Sequence, residues 1–91
     1  MNIKQGEEIK DRDDLQNLIT GVILHQKKSF TFQKLLKVLQ KKIVGSKYEN
    51  NLKLVKTMLD ETMKAFDKAG WIIVNRKTLE YENNCLFLEV S

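Results

Sequence analysis

The chain contains no proline, one cysteine, one histidine, one tryptophan and four scattered glycines. Each shortage excludes something. A lone cysteine, Cys85, cannot close an internal disulfide and fits a reducing compartment. One histidine, His25, and one cysteine cannot build the usual nitrogen–sulfur metal cluster, and no carboxylates fall at a calcium-loop spacing. The glycines are too dispersed for a phosphate-cradling loop. No apolar run approaches the ~20 residues that span a bilayer. The opening MNIKQGEEIKDRDD has no apolar region of the kind a secretory signal needs. No nucleophile stands beside an evident base. The acid pairs Asp13-Asp14 and Asp60-Glu61 are adjacent, so on a helix they point apart and do not cooperate as acid and base. The expectation is a cytoplasmic protein that is not an enzyme, with no cofactor, no metal and no membrane association.

What is present describes one small globular domain. The chain has 91 residues, 42% apolar and 31% charged. So short a chain buries a modest share of its surface, and association into a homodimer is expected to add stability. Acidic residues are scarce in one region. Residues 27–56 carry nine lysines against Glu49 alone, a net +8, whereas residues 1–14 carry three cations and five acids, a net −2. A basic block of this size attracts polyanions, because neutralised phosphates release condensed counterions. A solvated lysine face, common in small soluble proteins, is the plainer alternative.

Residues 1–12 have no clear period and read as a mobile or loosely docked tail; the domain proper is residues 13–91. Asp13 is expected to cap a first helix, with Gln16 three residues on as in a capping box. Leu15, Leu18, Ile19 and Val22 recur at helical spacing, and the helix should end near Lys27-Lys28. Gly21 would permit another element to approach closely. Leu24 lies off the stripe, either exposed or in contact with the tail or a second subunit. His25 should sit at the helix end. Ser29-Phe30-Thr31-Phe32 alternates and suggests a short strand, followed by a helix capped near Thr31.

The second helix is the clearest amphipathic segment. Phe32, Leu35, Leu36, Leu39 and Ile43 fall on one face, and Lys34, Lys37 and Lys41 on the other. After Val44-Gly45, Ser46 with Glu49 reads as another capping box, opening a long third helix that stops at Gly70. Its core stripe would be Tyr48, Leu52, Val55, Leu59, Met63 and Phe66. Leu54 and Met58 lie off that stripe, as further packing or as an exposed apolar spot. Trp71–Arg76 and Cys85–Val90 read as strands, with Tyr48 and Trp71 packed on the core and Cys85 a packed thiol. The polar stretch 77–84 would be the hairpin tip.

Helix, short strand, helix, glycine turn, helix and hairpin in this order resemble the winged helix-turn-helix superfamily over residues 13–90. The segment LDETMKAFDKAGWI, Leu59–Ile72, is similar to the late recognition helix and first wing strand of small bacterial regulators, where spaced leucines precede a lysine-rich exit ending in Gly-Trp-Ile or Gly-Leu-Ile. Two features depart from that pattern. The third helix, from a Ser46 cap to Gly70, is long, and the wing tip offers Arg76 and Lys77 against Glu80 and Glu82.

The resemblance implies an α+β fold of three helices with a C-terminal β-hairpin wing. It implies a transcriptional regulator that places the start of helix 3 in the major groove of double-stranded DNA. The matching residues are Lys47, Asn50, Asn51, Lys53 and Thr57. Asparagine suits adenine, lysine suits guanine acceptors, and threonine suits the thymine methyl. Lys56, with Lys34, Lys37 and Lys41, would hold phosphates, as would Arg76 and Lys77 from the wing. Helices 2 and 3 lack arginine, the residue that makes the commonest specific base contact. The alternative is an interaction module that binds a protein partner and no DNA, for which Leu24, Leu54, Met58 and the acidic wing tip speak.

Overall fold

The computed structural model describes residues 9–84. Their elements are α1 (Arg12–Leu24), α2 (Phe32–Lys42), α3 (Leu52–Ala69), β1 (Ile72–Asn75) and β2 (Glu80–Asn83). The protein is thus α+β, with three helices and a two-stranded antiparallel hairpin among the described residues. The three helices pack against one another, and β1 lies on α3. Leu15, Ile19 and Ile23 of α1, Leu35 and Leu39 of α2, and Val55 and Leu59 of α3 meet in one core with Phe30 and Ile43.

Helix α1 starts two residues earlier than the Asp13 cap would have it. Asp11 is the cap, its Oδ1 accepting from the Asp14 N–H at 2.9 Å, while Asp14 Oδ2 accepts from the Lys10 N–H at 2.9 Å. Two otherwise orphaned donors are satisfied reciprocally. Ile9, within the stretch read as a tail, is buried in the core, and its anchoring draws the helix start forward. The helix stops at Leu24 with His25 as its C-cap, short of Lys27-Lys28. Among the described residues, nothing lies within 4 Å of a side-chain carbon built on Gly21, so none of the described elements approaches there.

The short strand expected before α2 is reduced to one bridge. Phe30 exchanges both backbone hydrogen bonds with Tyr81 at 2.7 Å, and the two rings stack with centroids 6.0 Å apart. Thr31 then caps α2, accepting from the Lys34 N–H at 3.2 Å.

The largest difference lies between α2 and α3. Ser46 does not open a helix. Its hydroxyl donates to the Ile43 carbonyl at 2.6 Å and accepts from the Tyr48 N–H at 3.2 Å, so it closes the end of α2. Gly45, at φ 88°, provides the left-handed residue that reverses the chain there. Residues 47–50 form turns that bury Tyr48, and α3 begins at Leu52 under an Asn51 cap. The third helix is therefore 18 residues long.

The exit from α3 follows the expected stop. Gly70 has φ 82°, its N–H donates to the Asp67 carbonyl at 3.1 Å, and the Trp71 N–H donates to the Phe66 carbonyl at 2.9 Å. This double closure is a Schellman motif, and it carries the apolar contact that accompanies one. The Phe66 and Trp71 rings stand 5.0 Å apart. Trp71 is not a core residue, however: it is 37% exposed and precedes the strand.

The hairpin turn comes earlier than the polar stretch suggested. Residues 76–79 form the tip, and residues 80–83, read as part of it, are the second strand. Asn75 Oδ1 accepts from the N–H groups of Lys77 and Thr78, an Asx turn, and Leu79 takes the left-handed conformation, φ 59°, that glycine more often fills. The strand expected over Cys85–Val90, and Cys85 itself, lie outside the described residues.

Asn83 ties the hairpin to the helices. Its Nδ2 donates to the Ile23 carbonyl at 3.0 Å, which also accepts from the Gln26 N–H at 3.3 Å, and to the Gln26 carbonyl at 2.7 Å just past the end of α1. Asn83→Ala is expected to lower stability by about 1–3 kcal/mol, because it removes two part-buried hydrogen bonds and takes from the Gln26 carbonyl its amide donor. Thermal unfolding followed by circular dichroism checks this; an unchanged midpoint would mean that water replaces the amide without loss.

Candidate nucleic-acid interface

The basic block of residues 27–56 runs from the loop before α2, which holds Lys27 and Lys28, through α2 and the turn after it into the start of α3. Lys34, Lys37, Lys41 and Lys42 are all exposed on α2, a helix whose sequence contains no acid. Their exposure follows from the periodicity that buries Leu35, Leu36 and Leu39. Val38 and Lys42 lie on the flank toward α1, where with Leu18, Gly21 and His25 they line an open groove of about 380 Å³.

Lys47 and Asn50 are exposed in the turn, ahead of α3 and not on it. The Lys47 ammonium stands 5.4 Å from the centre of the Tyr48 ring, a cation–π contact that anchors its stem. Asn51 serves the fold, because its Oδ1 accepts from the Leu54 N–H at 3.4 Å and closes the helix start. Lys53, Lys56 and Thr57 project from α3 into solvent. The Thr57 hydroxyl donates to the Lys53 carbonyl at 2.9 Å, which fixes its rotamer and commits its proton.

Arg76 and Lys77 sit at the hairpin tip, remote in sequence from the block. Arg76 Nη2 lies 4.0 Å from Asp67 Oδ2 at the end of α3, and both side chains are well exposed. Glu80 and Glu82 alternate on the exposed side of β2. The lysine face is thus one continuous segment of chain, and the tip is a separate, charge-balanced feature.

Between α3 and the hairpin runs an open groove of about 520 Å³, lined by Lys56, Thr57, Asp60, Glu61 and Lys64 with Phe32 and Tyr81. The helical residues of this groove share a face by spacing alone. Phe32 and Tyr81 reach it through the Phe30–Tyr81 bridge, which no helical period reveals. The available signal was the alternation of Tyr81 and Asn83 with Glu80 and Glu82, obscured because one inward residue is polar. Asp60 is held by Lys64, Nζ to Oδ2 3.0 Å, in an exposed pair one turn apart, worth a few tenths of a kcal/mol.

Of the off-stripe residues, Met58 is buried and Leu54 packs half-buried against the core, so neither is an exposed apolar spot. Among the described residues, no group of three or more histidine, cysteine or acidic side chains could hold a metal ion, and no helix is long and apolar enough to cross a membrane. Scanned against protein-family models, curated proteins and solved structures, the chain matches none of them.

Proposed function

We propose that this α+β domain is a winged helix-turn-helix protein of the cytoplasm that binds double-stranded DNA and acts as a small transcriptional regulator. The observation that carries this reading is that most of the +8 block falls on the exposed face of α2, the glycine turn and the start of α3. Residues 43–51 join the two helices, a longer connection than the tight turn of the usual helix-turn-helix unit, whose second helix lies along a major groove.

The corrected start of α3 redistributes the roles. Lys53, Lys56 and Thr57, in the first two turns of α3, approach base edges. Lys34, Lys37 and Lys41 on α2, with Lys47 in the turn, neutralise phosphates and set the register. Asn50 borders the groove from the turn, and Asn51 preserves the helix start. The hairpin is the wing, and the acids beside Arg76 and Lys77 limit its attraction for phosphate.

Titration of mixed-sequence duplex at two or more salt concentrations is the test. Binding should be present at low salt and fall linearly on a log–log plot, with a slope of about −0.9 per phosphate neutralised. Binding absent at low salt, or indifferent to salt, overturns the reading. Lys37→Ala should weaken all duplexes alike, whereas Lys53→Ala should also reduce discrimination between sequences.

A second reading, an interaction module for a protein partner, draws on different residues from those the sequence suggested. Trp71, Ile73 and Leu79 are exposed along the hairpin side. Recovery of one stoichiometric partner by a protein that does not bind duplex would favour it.

A further inference from the structure

The exposed face of α3 carries one charge of the wrong sign for its surroundings. Lys53, Thr57, Glu61 and Lys64 follow one another along that face at helical spacing, and all four are exposed. Asp60 beside them is compensated by Lys64 at 3.0 Å. Glu61 is not: neither ion pair among the described residues includes it. It lies in the open groove one turn beyond Thr57. A bare carboxylate on a face that approaches phosphates is repelled by them, and it gains there only by finding a hydrogen-bond donor.

A carboxylate only accepts hydrogen bonds. In the major groove, guanine offers acceptors at O6 and N7, and thymine offers the O4 acceptor and a methyl group; both oppose it. Adenine offers its N6 amino group but sets the N7 acceptor beside it. Cytosine offers the N4 amino group with no acceptor alongside. Resting on the DNA-binding reading, we propose that Glu61 is a specificity-determining residue of this face, whose carboxylate accepts from the N4 amino group of a cytosine. Lys53 and Thr57 engage the preceding base pairs, and Glu61 restricts the position next to them. The residue therefore trades non-specific affinity for selectivity, since its charge weakens binding to every duplex that lacks a cytosine at that position.

Selection from a randomised duplex library, followed by titration of the enriched sequences, tests this with the wild-type chain, Glu61→Ala and Glu61→Gln. The wild type should enrich cytosine at one position, by about tenfold over thymine. Glu61→Ala should lose that preference while binding mixed duplex several-fold more tightly. Glu61→Gln should move the preference to adenine, whose N6 and N7 match an amide. Glu61 is exposed, so circular dichroism should show all three folded alike. An unchanged cytosine preference in Glu61→Ala overturns the proposal. A wild type that binds duplex with no preference for cytosine overturns it too, and leaves DNA binding intact. A wild type that binds no duplex at low salt overturns both.

Discussion

Replacing Lys34, Lys37, Lys53 and Lys56 together by alanine is expected to cost about a hundredfold or more in affinity for mixed duplex at 0.1 M salt. It should also flatten the salt dependence by about 1.8 in slope, from Lys34 and Lys37, the two of the four that neutralise phosphates. All four side chains are exposed, and none belongs to an ion pair among the described residues, so their removal should leave the fold intact. Alanine is also the better helix former, so α2 and α3 lose nothing in propensity. The informative comparison is Arg76→Ala with Lys77→Ala. Those two cations stand near Asp67, Glu80 and Glu82, and their loss should change the slope far less. Fluorescence anisotropy on one labelled duplex across a salt series measures both variants. Equal effects of the two would place the hairpin tip in the interface as fully as the helices and would refute the division of charge described above.

Leu59→Ala should have the largest effect on stability. Leu59 has no exposed surface and lies in the core shared by all three helices. Truncating a fully buried leucine removes its transfer free energy and leaves a cavity, at a cost of about 2–5 kcal/mol. Native domains retain only about 5–15 kcal/mol in all, and a small one sits toward the lower end. The midpoint of thermal unfolding should therefore fall by about 10–25 °C, and part of the population should be unfolded at 37 °C. Leu52→Ala is the matched control: it lies on the same helix but is 37% exposed. Its midpoint should fall far less, because a side chain already more than a third exposed loses less transfer free energy and leaves no closed cavity. A Leu59 variant as stable as the Leu52 variant would mean that the core is not centred on α3.

The two substitutions probe properties of unequal legibility. Which residues of α2 face inward was readable from the chain, because its 3.6-residue period is unbroken and its polar face is entirely lysine or glutamine. The same holds for Val55, Leu59 and Met63 on α3, but not for Leu52, which was expected on the same stripe and is exposed at the helix start. The Thr31 cap and the Gly70 stop were legible because each depends on a local property: a short side chain that accepts from the helix start, and a residue free to take a positive φ. The start of α3 was not legible. Ser46 and Glu49 match the spacing of a capping box, but the serine hydroxyl finds the Ile43 carbonyl instead, and Tyr48 turns into the core. A pattern of two residues cannot distinguish the end of one helix from the beginning of the next when both ends need the same hydrogen bonds. Asp11 and Asp13 pose the same ambiguity at α1, resolved by the burial of Ile9.

The candidate interface divides in the same way. The sequence by itself determined that nine lysines face one acid over residues 27–56, and that the lysines of α2 fall on its polar side. Charge and period are additive along a chain, so both can be read without coordinates. Only the tertiary structure decided that Asn51 is consumed as a cap, that Phe32 and Tyr81 line a groove beside Glu61, and that Asn83 fastens the hairpin to α1. Most of these are contacts between residues dozens of positions apart. Their energies depend on which backbone groups the helix ends leave unsatisfied, a quantity that exists only once the helices have packed.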